Sequence, residues 1–251
     1  MRVNCCRKDR SRVISHTSHG YSTYCFRCGD DSKLFVGHGT RSASEMIQHR
    51  KELEEYMAEV GDIALPYDYT QDIPREGLLW LLKGGVSRLL REHYKFGWSE
   101  RMGRVVLPVY IKGALVAVQN RAVLKGQEPK YMNKVGGDSS LFWSDPAVAL
   151  EDGRTDTVVL VEDILSCVRV GRVQRAVSSL GTSISYATAA EIIKHYNRVL
   201  VWYDDDKAGL NGARKAKAVL ELQGAEVHLI KTDKDPKEYD NEILKSTIKN
   251  V

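Results

Sequence analysis

Thr157-Val158-Val159-Leu160-Val161-Glu162-Asp163 and Val199-Leu200-Val201-Trp202-Tyr203-Asp204-Asp205-Asp206 decide the fold of this 251-residue chain. Each is an apolar run of strand length that stops abruptly in carboxylates. Runs without alternation read as strands covered on both faces. Around them the pattern changes period in a regular way. Asp163 to Val173 and Ser185 to Tyr196 read as helices, with Ala176–Leu180 as a short strand between them. Lys207 to Gln223 reads as a further helix stopped by Gly224, and Ala225 to Ile230 as a strand. Strand–helix–strand repetition predicts an α/β fold with a parallel sheet under helices.

Ligands of such sheets bind beyond the carboxyl ends of the strands. Those ends are acidic here: Glu162-Asp163, then Asp204-Asp205-Asp206, then Asp233 and Asp235 in the last loop. Carboxylates that converge raise one another's pKa, and a divalent cation removes that cost. Oxygen-only donors favour Mg²⁺ or Mn²⁺ over zinc. Helix capping is the competing use, since Asp163 and Asp206 each precede a helix. Capping accounts for one Asp per helix, not for Glu162 together with Asp204-x-Asp206. In an extended chain, alternation would put Asp204 and Asp206 on the same side.

Upstream, Glu76 to Tyr94 reads as helical, with Gly84-Gly85 breaking or bending it. Val105 to Tyr110 and Ala114 to Gln119 read as strands of a hairpin around Lys112-Gly113. Residues 101–137 hold Arg101, Arg104, Lys112, Arg121, Lys125, Lys130 and Lys134 against only Glu128. Local positive charge of this kind suits a polyanion. A solvated basic face is the plainer alternative. Tyr131 could stack on a base, and Asn133 offers both donor and acceptor.

The N-terminal zone has a different chemistry. Four of the five cysteines, Cys5, Cys6, Cys25 and Cys28, fall within the first 28 residues, and the fifth is Cys167. Cys25-Phe26-Arg27-Cys28-Gly29 is a strong half-site for zinc. At least one of Cys5 and Cys6 should join it, and the fourth ligand is the other cysteine, His16 or His19. The preferred set is Cys5, Cys6, Cys25 and Cys28. Residues 1–38 carry no long apolar run, so a structural metal would explain how they fold. Arg41 to Glu59 reads as a helix capped by Ser42 or Ser44, and Cys167 as buried packing.

Bulk composition excludes other classes. Hydrophobic content is 43%, charged content 28% and net charge +4. No apolar run approaches the ~20 residues that span a bilayer. Met1-Arg2-Val3-Asn4-Cys5 lacks the apolar stretch of a signal peptide, so a cytoplasmic location is expected and no membrane partner. The chain has no P-loop motif, hence no P-loop motor within it.

The three acidic-strand motifs, with Ser178-Ser179-Leu180-Gly181-Thr182-Ser183 between the first two, resemble a TOPRIM domain of the bacterial and phage DnaG-type primases. Met102-Gly103-Arg104-Val105-Val106-Leu107-Pro108-Val109, Val118-Gln119-Asn120-Arg121 and Pro129-Lys130-Tyr131-Met132-Asn133 resemble the first half of the primase RNA-polymerase domain. The Cys-Phe-x-Cys-Gly turn resembles the end of a primase zinc ribbon, although the ribbon's usual first half is replaced by adjacent Cys5 and Cys6. Asp205 stands where the family often has Gly, and Ser166 where several members have a further Asp.

The resemblance implies a DNA-directed RNA primase that makes short primers by two-metal nucleotidyl transfer. Glu162, Asp204 and Asp206 would be catalytic and hold Mg²⁺ or Mn²⁺, with Asp235, in the loop Lys234-Asp235-Pro236, as a secondary ligand. Arg104, Arg121, Lys130, Tyr131 and Asn133 would hold template and nucleotide, and a Zn²⁺ ribbon would choose the start. Its partners would be single-stranded DNA, ribonucleoside triphosphates and a replicative helicase, separate or fused in a longer chain. A zinc/TOPRIM recombination mediator acting as a clamp and a TOPRIM nuclease are the rival readings. The implied organisation is a zinc ribbon at 1–38, a linker helix at 39–60, a basic subdomain at 61–153, TOPRIM at 154–235 and a helical tail at 236–251.

Overall fold

The computed structural model describes residues 2–5, 8–17, 20–25, 63–136, 141–150 and 153–251. Strands β1 (Arg2–Cys5), β2 (Lys8–Thr17) and β3 (Gly20–Cys25) form an antiparallel sheet in that order. β1 and β3 run in the same direction along β2, but the register sets Cys5 opposite Lys8 and Cys25 opposite Arg12, so Cys25 lies level with Val3. Cys6, His19 and Cys28, and the helix expected over 41–59, lie outside the described residues.

The second sheet is antiparallel throughout. It runs β4-β5-β6-β7-β8, formed by Tyr69–Thr70, Gly97–Ser99, Arg104–Ile111, Ala114–Ala122 and Tyr131–Val135. The β6–β7 hairpin closes through Lys112 (φ 49°) and Gly113 (φ 83°), the two left-handed residues that a two-residue hairpin turn demands. The helical pattern over 76–94 resolves into α1 (Arg75–Lys83) and α2 (Arg88–His93). Gly84 closes the first helix, Gly85 turns the chain at φ 76°, and the Ser87 hydroxyl accepts from the Leu90 amide to start the second.

The third sheet holds the alternating segment. Its strands are β9 (Phe142–Trp143), β10 (Thr157–Val161), β11 (Ala176–Ser178), β12 (Arg198–Val201) and β13 (Glu226–Leu229), in the order β13-β12-β10-β11-β9. All pairs are parallel except β9 with β11. Helices α3 (Ile164–Val170), α4 (Tyr186–Ile193), α5 (Lys207–Leu222) and α6 (Asn241–Lys249) complete it. The two-residue edge strand β9 is too short to show a period in sequence, and it comes from upstream of residue 154.

Both faces of β10 are buried, which explains its unbroken apolar run. Val158 and Leu160 pack with Val199, Val201, Ile192 and Leu220 under α4 and α5. Val159 and Val161 point the other way, into a cluster shared with Val105, Leu107 and Val109 of β6 and with Phe96, Phe142 and Trp202. The parallel and antiparallel sheets therefore share one core. Each fully buried Val or Leu contributes roughly 1.5–3 kcal/mol. Leu244 of α6 belongs to the same cluster, so the tail after residue 236 is packed into the fold.

Candidate active site

The strand ends converge as the alternating pattern predicts. Glu162 follows β10 directly, and the Asp204 amide donates to its Oε1 at 3.2 Å. Burial, then the neighbouring charges of Asp204, Asp206 and Asp163, pushes the Glu162 carboxyl up to about 7. Burial likewise pushes Asp204 up to about 6, against the pull of the Lys237 ammonium. Asp204 Oδ1 is buried without a hydrogen-bond partner. Gly209 lets these two groups approach: a Cβ there would overlap the Asp204 carbonyl oxygen and Glu162 Oε1.

Asp206 is placed differently from the extended-chain expectation. β12 ends at Val201, and the Asp206 amide turns back to donate to the Asp204 carbonyl at 2.9 Å. The alternation argument does not hold past the strand, because the chain is already turning into α5. Asp206 caps that helix, its Oδ1 accepting from the Gly209 amide at 2.7 Å. Asp163 caps α3 in the same way, with Oδ1 accepting from the Ser166 amide at 2.8 Å. Capping and charge clustering thus coexist here. Asp205 is exposed, and Asp233 accepts from the Tyr239 hydroxyl away from the cluster.

Lys237 is the residue that the sequence reading missed. Its Nζ lies 2.7 Å from Asp163 Oδ2, 2.8 Å from Asp235 Oδ2 and 3.4 Å from Asp204 Oδ2. Burial works against its charge, but the carboxylates outweigh that and hold the ammonium above its ordinary value. A lysine two residues after Asp235 in an acidic loop was the available signal. Among the described residues no group of three or more His, Cys, Asp or Glu side chains is already posed to hold a metal ion. The donor chemistry nonetheless fits one: oxygen donors only, raised carboxyl pKa values and an unpartnered buried Asp204 Oδ1.

The antiparallel sheet faces this cluster with one side of β7 and β8. The register sets Arg121 opposite Tyr131 and Gln119 opposite Asn133. The Arg121 guanidinium lies 4.6 Å from the Tyr131 ring centroid and 5.3 Å from that of Trp80, held between two aromatic faces. Its Nε and Nη1 are buried without a partner. Burial raises the Tyr131 hydroxyl, and the charges of Asp163, Lys237 and Asp204 all act on it, which puts Tyr131 within electrostatic reach of the carboxylates. Lys130 and Asn133 are exposed beside it. Gln119, a second residue not singled out from sequence, is buried and directs its Nε2 toward the Leu180 carbonyl at 3.5 Å. Leu180 itself holds a left-handed φ of 59° in the loop after β11.

Arg104 departs from its expected role. The register pairs it with Ala122, which puts it on the opposite face from Arg121. It is 1% exposed, and its Nη1 donates to the Pro129 carbonyl at 2.7 Å and the Asn120 carbonyl at 3.4 Å. In this position it braces the turn before β8 and does not face the cleft.

A Toprim-like family model matches residues 160–240. The chain is 27% identical over 188 residues to the DNA primase of Clostridium acetobutylicum, a match spanning 68% of this chain and 31% of that protein. The chain thus spans about a third of that relative's length. Among solved structures, the zinc-binding and RNA-polymerase domains of the Aquifex aeolicus primase superpose with a TM-score of 0.59 at 17% identity, covering 95% of this chain and 79% of that one. A DnaG primase catalytic domain bound to single-stranded DNA gives a TM-score of 0.59 at 18% identity, covering 81% and 80%. The chain is similar to the DnaG-type primases over part of its length, with a Toprim-like segment at its carboxylate cluster and a fold like that of their catalytic core.

Proposed function

We propose that this chain makes short RNA primers on single-stranded DNA by nucleotidyl transfer. The observation that carries the reading is the opposition of two surfaces. Glu162 and Asp204, with raised pKa values and an open buried oxygen, face the Arg121–Tyr131 pair from the other sheet. Mg²⁺ or Mn²⁺ at Glu162, Asp204 and Asp206 would neutralise the charge of a triphosphate and its leaving pyrophosphate. Arg121, fixed between Trp80 and Tyr131 with its Nε and Nη1 buried and unpartnered, would set a positive charge beside a bound phosphate. Lys130 and Asn133, exposed at the rim, would hold the template backbone without reading its sequence. Asp235 is engaged by Lys237 and belongs to the edge of this cluster. The likeness to a primase catalytic domain solved with single-stranded DNA supports the choice of template.

Zinc at Cys5, Cys6, Cys25 and Cys28, start-site selection by that ribbon and work alongside a replicative helicase in the cytoplasm complete the reading. These rest on the primase resemblance. The test is a primer assay with mixed-sequence single-stranded DNA, labelled ribonucleotides and Mg²⁺. Short RNA products should appear with the unaltered chain and fall by about three orders of magnitude with Asp204→Ala or Glu162→Gln, both still folded. Undiminished product from either variant removes the carboxylates from catalysis. Cut template without RNA product would assign the same site to a nuclease.

A further inference from the structure

The carboxylate cluster is unevenly neutralised. On one flank, Lys237 Nζ reaches Asp163, Asp235 and Asp204 Oδ2 within 3.4 Å. On the other, Glu162, Asp206 and Asp204 Oδ1 meet no cation among the described residues. Asp204 joins the two flanks: its Oδ2 reaches Lys237, its backbone amide donates to Glu162, and its Oδ1 is left without a partner. An ammonium has three donors, and here three separate carboxylates take them. The lysine is also anchored. It sits in the single helical turn Pro236–Glu238, whose Pro236 is buried, and its side chain is only 24% exposed. A tethered cation needs no binding from solution, so it competes at high effective concentration with any free ion for that flank.

We infer that Lys237 is a resident cation that takes one of the two positive positions such a cluster would otherwise fill, so that the chain binds a single divalent ion, on its Glu162–Asp206 flank. Asp163 and Asp235 are then partners of the lysine, and Asp204 is shared between lysine and metal. This rests on the metal-dependent reading of the site. One divalent ion held by Glu162, Asp204 and Asp206 would then supply charge to the nucleotidyl transfer, with Lys237 as a positioning group for Asp204.

The test counts metal without reference to activity. Mn²⁺ binding to the intact chain, followed by electron paramagnetic resonance, should give about one ion at the site. Lys237→Met should raise the count to about two and introduce the exchange-coupled spectrum of neighbouring Mn²⁺ ions, a signature that a merely structural salt bridge would not produce. Without metal, Lys237→Met should melt lower than the unaltered chain, and Mn²⁺ should restore it. Lys237→Gln serves as a second variant if the methionine chain does not fold. Two ions in the unaltered chain, or the same count in both chains, overturns the inference and leaves the primase reading standing. Mn²⁺ binding that is absent, or indifferent to Glu162→Gln, overturns the metal reading and the inference with it.

Discussion

The two sheets that form the cleft place their chemistry in opposite ways. In the parallel sheet the functional groups stand just past the strand ends, where Glu162 and Asp204 emerge from fully buried runs. In the antiparallel sheet they stand in mid-strand, on one face of the β7–β8 pair, where Arg121 meets Tyr131. The first arrangement concentrates like charge and depends on close backbone approach. The second spreads opposite charge over a surface and depends on register. Damage to the first should therefore be abrupt and chemical, and damage to the second graded or structural.

The sharpest form of this contrast is Gly209→Ala. The added methyl would collide with the Asp204 carbonyl and Glu162 Oε1, with no flexible neighbour able to move away from the backbone oxygen. Displacing Glu162 by even ~1 Å should cost about 100-fold in primer synthesis. The fold should lose only about 1–3 kcal/mol. Near-normal synthesis by a well-folded Gly209→Ala chain would show that the Glu162–Asp204 approach is not needed.

Two arginines of the antiparallel sheet separate face from face. Arg121→Ala removes a guanidinium held by two rings above the cleft, and should raise the KM for nucleotide or template about tenfold with little change in Tm. Arg104→Met should do the reverse. It strands the carbonyls of Asn120 and Pro129, with an expected loss of about 3 kcal/mol in stability and an unchanged KM. If Arg104→Met instead weakens DNA binding at full stability, the face assignment drawn from register is wrong.

These residues also show what a sequence can disclose. Glu162 and Asp204 were legible because a buried parallel strand announces its end, and topology puts ligands there. Asp206 was half legible: its place beside the cluster follows from the motif, but its geometry follows from a turn that alternation cannot describe. Arg104 and Arg121 look equivalent in a basic stretch, and only strand pairing assigns them to different faces. Strand β9 has two residues and no period. Lys237 was hidden for another reason, because a cation beside carboxylates has no periodic signal and its role exists only once three loops have met.

The charge imbalance of the parallel-sheet flank should appear in stability as well as activity. Glu162 and Asp204 are held at about 7 and about 6 in the metal-free fold, above the ordinary carboxylate value of about 4. Between those limits the folded chain binds more protons than the unfolded one, so its stability falls as pH rises through that window. With both groups discounted for their partial exposure, the metal-free Tm should be about 5–10 °C lower at pH 7.5 than at pH 5 from this source. Glu162→Gln should flatten much of the slope, and Mg²⁺ should offset it in the unaltered chain. A slope identical in the Glu162→Gln chain would separate the cluster's charge from the fold's stability.

The smallest effect belongs to the exposed rim of the other surface. Lys130 is solvent-exposed, with its Nζ 5.9 Å from the Tyr131 ring centroid, so it contributes little to the fold. If it holds one template phosphate, Lys130→Ala should lower the slope of log affinity against log salt by about 0.7 for single-stranded DNA, and leave the unfolding free energy within about 0.5 kcal/mol of the unaltered chain. The same substitution should act equally on every template sequence, because a phosphate contact carries no base identity. An unchanged salt slope would move the DNA path off this rim. A sequence-dependent loss would mean that the graded surface reads bases, and the contrast between the two sheets would then be one of chemistry on both sides of the cleft.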